Sequence, residues 1–452
     1  MSGENPTERD ETTAAERVLS LVGSRAEAIV HVATGTSSLT RFANSRIHQN
    51  VTEDLHAVHL TVISDGRMAR AGTTRDEPDA LAGLVERALA AAALRPADPD
   101  VAGFAPPAPV PAVDHWDEGT AAATPEDRAR VVAAFVDAAG ELEAAGYCST
   151  RSVHHVLVSS TGQRATSRAA VAQVDGVVRA ATSGAPADGA AQVTSARLAD
   201  LDGAACGDRA ATKARAGAMA VDLAPGTYEV VLEPKAVAAA LLFPAYLGFN
   251  GKAHADGTSF VHLGEQQWDA SVDVWDDATD PRALGDPVDA EGTPKRRTDM
   301  VRAGVSVGLA HDRRSARLAG VEPTGHSIGS DAFGGYPSDL FLGGGDPSPG
   351  ELVAQVERGL VVTDLWYNRV LDPKSQVVTG LTRNGVFLVE NGEITTAVRN
   401  LRYTQSIVAA FGPGRVLGLA DDGRLVGGEG PGAMHVPTVR LAGWAFTGNA
   451  QG

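Results

Sequence analysis

The chain has 452 residues, 43% hydrophobic and 21% charged, a balance that predicts a globular protein of two or three domains burying roughly three quarters of its surface. Its 39 Lys and Arg against 56 Asp and Glu leave a net charge of −17 with no basic run to offset it, which argues against nucleic-acid or anionic-membrane partners. The longest apolar stretch, Ala236 to Phe249, is shorter than the ~20 residues of a spanning helix and contains Pro244, while Cys148 and Cys206 form neither a CxxC pair nor a disulfide framework.

The N-terminus has no positive start and no apolar h-region, which predicts no secretory signal and a cytoplasmic chain. Residues 1–14 are polar and are expected to form a disordered tail. An α+β domain is expected over residues 15–222, with antiparallel strands and long helices. A short helix (Glu16 to Val22) precedes strand-like segments at Glu27–Ala33, Ser38–Ala43 and His56–Ile63, the last ending in the hairpin signal Asp65-Gly66. A helix with one apolar face runs from Pro78 to Leu94. The proline-rich stretch Pro96 to Pro111 reads as an extended connection. Thr124, Pro125 and Asp127 supply the N-cap, first-turn proline and acid of a second long helix, expected to reach about Ala145. Val153–Ser159 and Ala169–Ala181 read as a hairpin, and Ala196 to Ala220 as helical.

After Asp222-Leu223-Ala224-Pro225-Gly226 the pattern changes to short strands, giving a mostly-β domain over residues 223–452. Strands are expected at Tyr228–Leu232, Ser306–Ala310, Gly359–Leu365, Gly385–Val389, Ile394–Val398 and Thr438–Ala442. Only two helices are expected, near Pro234–Leu242 and from Pro349.

Twelve histidines offer metal ligands, yet no HExxH or HExxxH occurs. His56 and His59, and His154 and His155, diverge on strands. His254 and His262, and His311 beside Asp312, lack a third ligand at a recognisable spacing. Nor is there a GxSxG elbow, an SxxK or a P-loop. By motif alone this is a protein of enzyme size without catalytic machinery.

Longer strings carry a resemblance. Leu39 to Asn50 (LTRFANSRIHQN), Glu291-Gly292-Thr293-Pro294, the series from Asp312 to Pro323-Thr324-Gly325, Pro337-Ser338-Asp339-Leu340 with Gly345-Asp346, Gly359 to Asp364, and Phe387 to Ile394 resemble the TldD/TldE (PmbA) metallopeptidase family, in order and from about residue 15 to the end. The resemblance implies an N-terminal α/β domain, a mostly-β C-terminal domain and a two-subunit peptidase. Its TldD branch carries HExxxH and a later cysteine as zinc ligands, and its TldE branch lacks them. Alignment on Gly257-Thr258-Ser259 puts Leu242, Phe243 and Leu247 at the His, Glu and His positions. Gly427, within Leu425–Gly430, falls at the cysteine position. Leucine and phenylalanine cannot coordinate zinc or lower the pKa of a bound water. Asp339 and His326 depart from the family's usual asparagines, and Thr324, Gly325 and His326 are candidate substrate contacts.

These features predict a zinc-free TldE-like subunit that joins a HExxxH-bearing TldD-like partner, where the zinc is expected, and helps enclose a chamber for unfolded or leader peptides. The alternatives are an independent hydrolase built around His311, Asp312 and His326, or a homo-oligomeric peptide-binding protein. The sequence leaves open whether the isolated chain forms a homodimer.

Overall fold

The computed structural model describes residues 6–182, 187–330, 332–427 and 432–449. Residues 1–5 of the expected tail and 428–430 of the cysteine-loop resemblance lie outside them.

Helix α1 (Pro6–Val22) begins well before the expected Glu16, so the tail expectation is corrected over residues 6–14. Ala15, Val18 and Val22 are buried against the first sheet, and Glu11 accepts a hydrogen bond from Thr34, which anchors a segment that looks merely polar in isolation. Strands β1 (Glu27–Ala43) and β2 (Arg46–Ser64) replace three expected segments with two long ones. Residues 34–38 of β1 and 46–55 of β2 are mostly polar and interrupt the alternation, but the ladder continues to Asn44 and Ser45. Those two residues, at φ 49° and 56°, make a two-residue left-handed turn that matches strand twist.

β3 (Arg67–Thr73) follows, then α2 (Pro78–Leu94) with the bounds expected and with Leu81, Leu84, Val85 and Ala88 buried. After α3 (Glu118–Ala121), α4 (Pro125–Ala139) opens on a reciprocal capping box between Thr124 and Asp127. It stops six residues before Ala145, because Gly140, at φ 68°, turns the chain into β4 (Glu143–Ser159). β5 (Arg164–Ala180) completes the expected hairpin. β6 (Ala187–Ser195) was not foreseen, since its small residues carry little β signal, and α5 (Gly203–Gly217) is shorter than the expected Ala196–Ala220. The sheet is antiparallel throughout in the order β3-β2-β1-β4-β5-β6. Helices α1 and α2 share one apolar cluster with β1–β4, and α4 and α5 share another with β4–β6.

The second half starts with β7 (Gly226–Leu232), α6 (Pro234–Phe243) and α7 (Gly251–Ala255). It continues through β8 (Val274–Asp276), β9 (Thr298–Arg302), β10 (Val305–Ser306), α8 (Arg313–Ala319), β11 (Asp339–Leu342) and α9 (Pro349–Ala354). β12 (Arg358–Asp372), β13 (Val377–Glu390), β14 (Glu393–Val398), β15 (Leu401–Ser406), α10 (Ile407–Ala410), β16 (Val416–Leu419), β17 (Arg424–Gly427), β18 (Ala433–Val436) and β19 (Val439–Asn449) complete it. The helices therefore exceed the two expected, because short, well-capped turns such as α8 leave no periodic pattern. The expected Ser306–Ala310 strand shrinks to Val305–Ser306. β12, β7, β19, β15 and β13 pair in sequence, and β13 pairs back to β12, closing a ring of five strands around the largest core cluster. A second sheet has the order β10-β9-β8-β11-β18-β17. The fold is α+β with a largely β second half. Among the described residues no helix is long and apolar enough to cross a membrane.

The proline-rich connection is clamped between the halves. Ala105 N–H donates to Glu291 C=O (2.9 Å), Arg313 Nε to Gly103 C=O (3.0 Å), and Ala108 N–H to Gln163 Oε1 (3.0 Å), whose Nε2 in turn donates to Gly292 C=O (3.0 Å).

Candidate functional site

Leu242 and Phe243 end α6, and Leu247 lies in the π turn Pro244–Gly248 that continues it. Pro244 has no N–H for the α-helical bond to Ala240 and its ring crowds that carbonyl, so the helix widens, with Phe249 N–H reaching Pro244 C=O at 2.7 Å. An ideal α-helix sets residues five apart roughly 140° from each other. A turn wider by one residue brings positions 242 and 247 closer to one face. The backbone thus has a geometry suited to ligands spaced as in HExxxH, while its side chains are apolar. Leu242, Phe243 and Leu247 are half-buried, not fully enclosed, and the first two pack on the main core. Strands β17 and β18 pack against α6. Gly427 closes β17, and its carbonyl accepts from Gln192 Nε2 at 3.0 Å. Among the described residues, no group of three or more His, Cys, Asp or Glu is arranged to hold a metal ion.

A separate network gathers buried charge from distant segments. His326, 1% exposed, places Nε2 3.0 Å from Asp276 Oδ1 and Nδ1 2.8 Å from the Thr324 hydroxyl. Asp276 Oδ2 accepts from Asp339 N–H at 2.6 Å. Lys295 Nζ donates to Asp339 Oδ2 (3.1 Å) and Ser338 Oγ (2.7 Å). Burial works against charge on Asp276, but His326 and then Lys295 hold its carboxyl below the ordinary range. For Lys295 the same competition, won by Asp339 and Asp276, raises the ammonium pKa. A Cβ on Gly285 would lie 2.2 Å from Asp339 Oδ2, so only glycine lets that backbone approach the pair.

The structure therefore brings Thr324, Gly325 and His326 together with Asp339, but inside the protein. Both ring nitrogens of His326 are engaged, and Thr324 Oγ1 also accepts from His311 N–H at 2.7 Å. Their polar atoms join segments of the chain. The alternative triad fares similarly. Asp312 caps α8 through Ser315 N–H (2.7 Å) and accepts a hydrogen bond from the Ser315 hydroxyl at 2.5 Å, while His311 Nδ1 lies 3.1 Å from that hydroxyl. His311, Asp312 and Ser315 are at most 7% exposed, an arrangement that fixes a helix start and offers no open nucleophile.

Sequence reasoning missed His31. On β1 its Nδ1 lies 3.2 Å from His155 Nε2 on β4, and His155 Nδ1 lies 3.6 Å from Asp286, which accepts from Ser167 Oγ at 2.7 Å. Burial, then His155, push His31 down to about 3. His154 and His155 diverge as expected, His154 going to the Trp116 ring. The register between β1 and β4 creates this cluster, and nothing in the sequence specifies it.

Asp289 ties the Glu291–Pro294 string together, accepting from Glu291, Thr293 and Ser327 N–H groups at 2.8–3.0 Å. Burial, then the Asp289 charge, raise Glu291 to about 8. A carboxyl with a raised folded pKa takes up a proton on folding between its unfolded value, roughly 4.3, and about 8. Stability from this group is therefore lost as pH rises through that window. Glu291→Gln keeps an acceptor for Arg313 N–H and removes the titration. Thermal unfolding midpoints at pH 5 and pH 8 should converge in the variant, and an unchanged pH slope would count against the assignment.

Residues 225–448 match the PmbA/TldA metallopeptidase C-terminal domain, and residues 30–92 match domain 1 of the same family. The chain belongs to the TldD/PmbA family. TldE from Thermococcus kodakarensis superposes with a TM-score of 0.83 at 18% identity, covering 98% of this chain and 100% of that one. A Thermotoga maritima protein described as a candidate modulator of DNA gyrase gives 0.85 at 18% identity over 96% of this chain and 100% of its own. A Bacteroides thetaiotaomicron protein of the same description gives 0.83 at 18% identity, over 98% and 99%. At this identity the likeness establishes the fold. Within the TldD/PmbA family, the chain is metallopeptidase-related.

Proposed function

We propose that this chain is a zinc-free, TldE-like subunit that pairs with a HExxxH-bearing TldD-like peptidase and shapes a chamber for unfolded or leader peptides. The observation that carries the reading is the α6 segment, which keeps a wide turn between positions 242 and 247 while presenting Leu242, Phe243 and Leu247. These side chains offer no lone pair to zinc, so a catalytic role in proteolysis requires a second chain that does. The open six-stranded sheets add support. The outer strands β3, β6 and β17 each pair on one side within their sheets, and an extended peptide can join such an edge through main-chain hydrogen bonds without demanding a sequence.

Mixing the chain with its zinc-bearing partner should give a species of about twice the monomer mass, held by an interface of roughly 1,200–2,000 Å² or more. Its peptidase activity on an unstructured peptide should exceed that of the partner alone. Two non-interacting proteins by light scattering at micromolar concentration, with the partner fully active unaided, would overturn the proposal.

A further inference from the structure

A cavity of about 310 Å³ lies between the two halves, bounded by β6 and α5 on one side and by α6, α9, β12 and β17 on the other. It is outside the buried charge network described above. Its wall is largely apolar, with Val231, Val353, Val361, Ile394 and Leu425 among its residues. Its charged groups are Arg209, Lys213, Lys235 and Arg424 against Glu233 and Asp422, an excess of cations in a chain whose net charge is −17.

The carboxylates there are already engaged. Glu233 Oε2 takes Lys213 Nζ at 2.6 Å, and Asp422 accepts from Thr438 N–H at 2.7 Å and Thr438 Oγ1 at 2.8 Å. Lys235 lies between Asp175 (3.5 Å) and Asp364 (3.6 Å). Among the described residues neither arginine has a carboxylate within hydrogen-bond distance. Arg424 comes no closer than 3.9 Å to Asp422 Oδ2, beyond hydrogen-bond distance. Among the described residues Arg209 forms no ion pair, and its Nε is buried without a hydrogen-bond partner. Thr363, 3% exposed, also lines the cavity, and its hydroxyl is unpartnered. Burial, then the neighbouring Arg209, lower the Arg424 pKa against the opposing pull of Glu233 and Asp422. The N-terminal end of α6, with Pro234 and Lys235 in the wall, adds the positive end of a ten-residue helix.

Two guanidinium groups without a hydrogen-bonded carboxylate, a free hydroxyl and an apolar wall define a ligand with an anionic head and a hydrocarbon body. A planar carboxylate suits the fork of donors on arginine. The volume is at the low end of the ~300–1,000 Å³ of small-molecule sites, which fits a short chain end and not a folded partner. The side chains of Lys213, Glu233 and Lys235 keep 16–23% exposure, so the cavity is open to solvent. We propose that this cavity binds the free C-terminal carboxylate of a peptide ending in an apolar residue, with Arg209 and Arg424 holding the carboxylate. The choice of a peptide as the source of the carboxylate rests on the peptide-handling reading above.

Calorimetric titration of the full chain with N-acetyl-Ala-Leu, with its C-terminal amide and with inorganic phosphate tests this directly. The acid should bind at least tenfold more tightly than either of the others. Arg209→Gln and Arg424→Gln should each weaken the acid about tenfold and narrow the gap between acid and amide. Arg75→Gln, at an exposed arginine far from the cavity in sequence, should leave binding unchanged. Equal affinity for acid and amide, phosphate binding as tightly as the acid, or no heat from any of them up to about 10 mM would overturn the proposal. The acid and amide are compared on the unaltered chain, so a variant that fails to fold does not decide the outcome. Acid selectivity without complex formation would remove the accessory-subunit reading and leave this site standing. A complex without acid selectivity would do the reverse.

Discussion

Asp276→Ala is expected to destabilise the fold by about 3–5 kcal/mol, the usual cost of removing one partner from a buried ion pair. Asp276 is 1% exposed, and both of its oxygens are used, one by His326 and the other by the Asp339 amide. Alanine leaves those two donors without an acceptor and removes one of the carboxylates beside Lys295. His326→Ala should also be severe, and the double variant should lose less than the sum, because the second substitution removes a group already orphaned by the first. The sign of the pH dependence follows from the shifts. Asp276 has a depressed folded pKa, so its contribution is present above the unfolded value near ~3.9 and is lost as pH falls through the folded one. Lys295 has a raised folded pKa, so its contribution is complete below the unfolded value near ~10.4 and is lost as pH rises through the folded one. Urea unfolding at pH 7 measures the first effect, and a loss below about 1 kcal/mol would show that the network contributes little.

The second large effect concerns the positions where the resemblance would set zinc ligands. The unaltered chain should hold no stoichiometric zinc and should not hydrolyse unstructured peptides alone. The triple variant Leu242→His, Phe243→Glu, Leu247→His should remain inactive and lose about 3 kcal/mol in all. Each site is half-buried, so each change costs near the lower end of the ~1–3 kcal/mol of an unpartnered buried polar group, together with lost apolar contact. The wide turn after Pro244 gives the new imidazoles a suitable backbone, but Gly427 supplies no thiolate and no partners are in place to orient the rings. Elemental analysis and a fluorogenic unstructured peptide read both results. A well-folded triple variant with zinc-dependent peptidase activity would show that ligand identity alone separates the two branches.

Local chemistry determined much from the sequence. The proline at the start of α2, the Thr124/Asp127 box of α4 and the Asp65-Gly66 turn act within a few residues, and each stands where the sequence placed it. The family strings and the apolar residues at 242, 243 and 247 were equally legible, because they are identities and not contacts. Tertiary structure decided the rest. β6 is a strand because β5 pairs with it, and α1 extends to Pro6 because Glu11 and Ala15 find burial there. The ring of five strands depends on pairings that no local period encodes. The charged network unites residues 276, 295, 326 and 339, and the cavity arginines 209 and 424 come from different halves of the chain. A periodic pattern reports which face of an element is apolar. The state of a buried charge depends on its distance from groups far along the chain, and only the folded packing sets that distance.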